Sequence, residues 1–85
     1  MRITRKHLEA KVSTVNSMLG HPEPQWNTVG SIWLYSANDA GTKVHRIVNT
    51  SGGVNDIMPL LGTNREVNEF LRGMIAALSI ARGEQ

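Results

Sequence analysis

Val29-Gly30-Ser31-Ile32-Trp33-Leu34-Tyr35-Ser36, then Ala37-Asn38-Asp39-Ala40-Gly41-Thr42, then Lys43-Val44-His45-Arg46-Ile47-Val48-Asn49-Thr50: these three runs decide the fold. The first and third are rich in β-branched and aromatic side chains, which suit a pleated, half-buried backbone. The run between them carries the Asn, Asp and Gly that supply turn conformations at low steric cost. Together they predict a β-hairpin. Strand alternation puts Val44, Arg46 and Val48 on one face and Lys43, His45, Ile47 and Asn49 on the other. On the neighbouring strand Ile32 and Leu34 share a face, and Trp33 and Tyr35 share the opposite one.

Upstream of the hairpin lies a helix. Thr4 is a good N-cap, and Ile3 and Leu8 stand in the hydrophobic-staple arrangement. Leu8, Val12, Val15 and Leu19 recur at helical spacing, and Gly20 and Pro22 end the pattern. The spacing predicts a helix over Arg5–Leu19 and a loop over His21–Thr28. Downstream, Ser51-Gly52-Gly53 leads into Val54–Leu61, which reads either as a short third strand or as an irregular apolar segment. Thr63-Asn64-Arg65-Glu66 is a capping box, and a second helix is predicted over Asn64–Arg82. The expected fold class is α+β, in the order α-β-β-(β)-α: two helices packed on one face of a small antiparallel sheet. With no linker or repeat, residues 1–85 form a single domain.

Composition narrows the function. Of the 85 residues, 40% are apolar and 19% charged, the balance of a folded globule. The stretch Met74–Ala81 is far short of the roughly 20 residues that span a bilayer. No apolar run follows Met1, so no membrane association and a cytoplasmic location are expected. There is no cysteine. His7, His21 and His45 show no spacing for a metal, and no phosphate-binding loop or nucleophile elbow is present. The expectation is a protein without catalytic residues, metal or cofactor.

Charge and exposure say more. If Ile32, Leu34, Val44 and Val48 meet the helices, then Trp33, Tyr35, Lys43, His45 and Asn49 lie together on the open side. Two rings beside a cation, an imidazole and an amide can stack on a nucleobase and hold a phosphate. They equally suit contacts between subunits. Arg46 falls among core positions unless it reaches the sheet edge, and Gly52-Gly53 allows close approach of a ligand. The formal net charge is only +2, yet Arg2, Arg5, Lys6 and Lys11 crowd the start of the chain, either as a solvated end or as a surface for an anion. The second helix is apolar most of the way round. Val67, Phe70, Leu71, Met74, Ile75 and Leu78 make one face, and Gly73, Ala76, Ala77 and Ile80 a second. A homo-oligomer joined through Phe70, Gly73, Met74, Ala77 and Ile80 would hide the excess, unless Ile57–Leu61 folds back over it.

The segments His45-Arg46-Ile47-Val48-Asn49, Ser51-Gly52-Gly53-Val54-Asn55-Asp56, Thr63-Asn64-Arg65-Glu66 and Phe70-Leu71-Arg72-Gly73, with the opening Arg2-Ile3-Thr4 and Leu8-Glu9, resemble a family of small bacteriophage and prophage proteins of unassigned role. The family's Tyr- and Gly-rich turn is replaced here by Asn38-Asp39-Ala40-Gly41-Thr42, so no role carries over to that turn. The resemblance implies a noncatalytic protein acting against host defence in the cytoplasm of a bacterial host cell. Such a protein would sequester an anionic nucleotide-like ligand through Trp33, Tyr35, Lys43, His45, Arg46, Asn49, Gly52 and Gly53, or inhibit a host defence protein. A nucleic-acid-binding module is a further alternative, since α-β-β-β-α is also the order of the double-stranded-RNA-binding domain, although the second helix is poor in Lys and Arg.

Overall fold

The computed structural model describes residues 2–37, 40–58 and 60–83. The first helix, α1, spans Arg5–Met18 with Leu19 as its C-cap. Thr4 caps it as its spacing predicts, but the reciprocal partner is a histidine: Thr4 N–H donates to His7 Nδ1 at 3.0 Å, while the Thr4 side chain accepts from His7 N. The imidazole lone pair does here what a Glu or Gln carbonyl oxygen does in the usual capping box. The second helix, α2, spans Asn64–Ala81, and Thr63 and Glu66 close its capping box at 2.9 and 3.2 Å.

Between the helices lie β1 (Ile32–Ser36), β2 (Thr42–Ile47) and β3 (Val54–Asp56), in one antiparallel sheet of order β1-β2-β3. The fold is α-β-β-β-α. Of Val54–Leu61, the first three residues form a strand, and just beyond the segment Gly62 returns to the sheet through a bridge with Thr42. Asn38 and Asp39 of the expected hairpin turn lie outside the described residues. β1 begins later than its composition suggests, because Ser31 N–H bonds Thr28 O in a turn rather than joining the ladder.

Alternation sorts the sheet into two faces. The register pairs Trp33 with His45, Leu34 with Val44, Tyr35 with Lys43, and His45 with Asp56. Ile32 and Val44 are buried with Leu8, Val12, Val15, Val67 and Leu71 in the core, where α1 lies against β1 and α2 against β2. Each such side chain stabilises the fold by about 1.5–3 kcal/mol through removal of apolar area from water. Val48, expected among them, is exposed instead. β2 stops at Ile47, and Val48 stands beyond it, where its N–H bonds Gly53 O in closing the β2–β3 turn.

The β1 edge is blunted by α1. Ladder bonds to β2 use Ser31 O and Ala37 N, so the amides of Ile32, Leu34 and Ser36 point outward. Asn16, buried on α1, takes both groups of Ile32: its Oδ1 accepts from Ile32 N at 2.8 Å and its Nδ2 donates to Ile32 O at 3.1 Å. A side-chain amide thus replaces the missing strand at this one residue.

On α2, Val67 and Leu71 are buried, and Phe70, Met74, Ile75 and Leu78 are half-buried against the core. Phe70 and Met74 are therefore packed within their own chain. Of the residues expected at an oligomer contact, Gly73, Ala77 and Ile80 stay exposed. Ile57 lines a groove beside Phe70 and Met74, while Leu60 and Leu61 are exposed. Among the described residues no helix is long and apolar enough to cross a membrane.

Candidate functional site

The face of the sheet opposite the helices carries Trp33, Tyr35, Lys43 and His45, four of the residues that alternation placed there. The Tyr35 and His45 rings meet at 5.9 Å between centroids with planes tilted by 40°, a geometry rings favour over flat stacking. Lys43 Nζ stands 5.6 Å from the centroid of Tyr35. Trp33 is half-buried, and its indole N–H donates to Ser31 Oγ at 2.9 Å, which fixes the ring's orientation. Tyr35 is exposed. The platform is aromatic, partly preorganised and open.

One member was not legible in the hairpin alone. Asp56, brought alongside by the β2–β3 register, accepts from Lys43 Nζ at 2.9 Å. This pair neutralises the cation nearest the rings. The sequence held the signal only in the parity of a three-residue strand.

The platform continues past the β1 edge. A cavity of about 340 Å³ is lined by Trp33 and Leu34 together with Arg5, Glu9, Val12 and Asn16 of α1 and Pro24 of the loop. The outward amide groups of Leu34 lie here, and no hydrogen bond beyond the sheet engages them among the described residues. Arg5 sits at one end, paired with Glu9 at 3.4 Å and donating to Ser36 Oγ. Of the N-terminal cations, Arg5 lines the same cavity as Trp33.

The other expected residues lie elsewhere. Arg46 is on the helix-covered side of the sheet, lining a groove with His21, and not beside the rings. Asn49 serves the β2–β3 turn, its Oδ1 accepting from Ser51 N at 3.0 Å and Gly53 N at 2.9 Å. Gly52 has φ +83°, and a Cβ there would meet the Trp26 ring at 2.8 Å, so the turn needs glycine to seat that ring. Trp26 is 65% exposed, and nothing in the local pattern of its loop marked it.

Among the described residues no three His, Asp or Glu side chains converge as a metal site would require. Comparison with protein-family models, with curated proteins and with solved structures finds no match.

Proposed function

We propose that this chain is a noncatalytic binding protein that holds a planar, anionic, nucleotide-like ligand on its open sheet face. The observation that carries the reading is the convergence of Trp33, Tyr35 and His45 on a face the helices leave free, continuous with a cavity that holds Arg5. The ligand's ring stacks on the aromatic platform, where base–aromatic contacts contribute about 1–3 kcal/mol each. The outward amide of Leu34 reads the ring's hydrogen-bonding edge, and Arg5 meets its charge, with Lys43 held back by Asp56. Arg46, Asn49, Gly52 and Gly53 are not part of this pocket.

The resemblance to phage proteins supplies the biological setting: counter-defence by sequestration of a nucleotide signal in a bacterial host cell. The exposed strip of Gly73, Ala77 and Ile80 on α2 is where a second copy joins, since the small Gly73 and Ala77 let two helices approach closely and Ile80 adds apolar area to cover. Calorimetry against AMP, ATP, ADP-ribose and cyclic dinucleotides tests the reading, and a silent panel refutes it. A second reading, inhibition of a host defence protein through the same face, draws on the Lys43–Asp56 pair, which lowers that face's pull on anions. Capture of a host protein that free nucleotide does not displace would favour it.

A further inference from the structure

The groove on the helix side of the sheet has a different chemistry from the open face. It holds about 380 Å³, a volume in the small-molecule range, and its walls are Leu19, Ile32, Ile57, Phe70 and Met74. Two nitrogen-bearing heads converge at its rim over Gly30. A Cβ on Gly30 would lie 3.1 Å from His21 Nε2 and 3.7 Å from Arg46 Nη2, so both heads stand over bare backbone. Gly30 has φ +94°, a conformation in which a side chain is strained, and the absence of one leaves the space between the heads open. Neither head has a hydrogen bond or ion pair with another side chain among the described residues. Among the described residues no acidic side chain lines the groove.

An unpaired guanidinium at the mouth of an apolar groove selects for charge and greasiness together. We infer that this groove is a second binding site, for an amphiphilic organic carboxylate whose head group takes the planar fork of Arg46 and a hydrogen bond from His21, with its hydrocarbon body lying along Phe70 and Met74. Arginine's donors match a carboxylate bidentately, and such charge-assisted bonds are roughly twice as strong as neutral ones. A nucleotide is a poor occupant, because its sugar and polyphosphate would have to leave water for an apolar wall.

The test compares octanoate with 1-octanol, which share a chain and differ in the charge of the head. Both are titrated calorimetrically into the intact protein and into Arg46→Met, with contacts located by nuclear Overhauser effects. Octanoate is expected to bind about tenfold more tightly than octanol, with contacts to Phe70 and Met74. Arg46→Met removes that preference while leaving octanol unchanged, and His21→Phe reduces it in part. Equal affinity for the two probes, no binding of either, a preference that survives Arg46→Met, or contacts to Trp33 and Tyr35 instead, each overturns the assignment. Because Arg46 is exposed, its replacement is expected to keep the melting transition, and His21→Phe supplies an independent reading if it does not.

Discussion

Asn16 engages both backbone groups of Ile32, a buried fastening of α1 to the edge of the sheet. The amide is 3% exposed, so water cannot replace it. Asn16→Ala leaves a buried N–H and a buried C=O without partners. We expect it to lower the unfolding free energy by about 2–4 kcal/mol in urea titration. It also uncovers the β1 edge, so self-association should rise in light scattering. A loss below about 0.5 kcal/mol would show that this contact is incidental to the fold.

Asn68 is the opposite case. It is 6% exposed on α2, and its Oδ1 is buried with no hydrogen-bond partner among the described residues. Replacing a polar group of this kind with an apolar one of similar shape removes an unrecovered desolvation cost. Asn68→Leu is expected to raise stability by about 1 kcal/mol, read as a higher urea midpoint at unchanged slope. A destabilised variant would mean that the amide has a partner in solution.

Much of this architecture could be read from residue order, for local reasons. Thr4 and Thr63 mark helix starts because capping acts within one turn, and Trp33, Tyr35, Lys43 and His45 share a face because side chains alternate along a strand. What escaped depends on distance or on substitution of one chemistry for another. The Lys43–Asp56 pair needs the register of a third strand, and the seat of Trp26 on Gly52 joins two loops that share no periodicity. Val48 departs from the alternation because β2 ends one residue before it. His7 was hidden as a cap because its ring stands in for an oxygen.

The His7 cap has its own consequence. Its Nδ1 must accept the Thr4 N–H, and the first turn of α1 carries no acidic residue. His7→Ala loses that bond and should cost about 0.5–1 kcal/mol in thermal melts. His7→Glu restores an oxygen acceptor and adds a negative charge at the helix N-terminus, worth about 0.3–1 kcal/mol, so it should melt above the parent protein. The reverse ranking of the two variants would exclude the capping role.

The exposed strip on α2 gives a test of assembly. Ala77→Arg places a long charged side chain where we propose that a second copy packs, without touching the core of its own chain. The parent chain should elute as an oligomer in size-exclusion with light scattering, and the variant as a monomer with an unchanged circular dichroism spectrum. A parent chain that is monomeric at micromolar concentration ends the proposal of a homo-oligomer.

The open face is best tested by amide and indole ¹⁵N spectra recorded during titration with the nucleotide panel, in the parent chain and in Asp56→Asn. At least one nucleotide is expected to shift the Trp33 indole N–H and the Leu34 and Tyr35 amides while leaving those of Phe70 and Met74 in place. Freeing Lys43 in Asp56→Asn should tighten that binding by about two- to fivefold. Shifts confined to the helix side of the sheet, or none across the panel, would contradict the assignment of the open face as the ligand site.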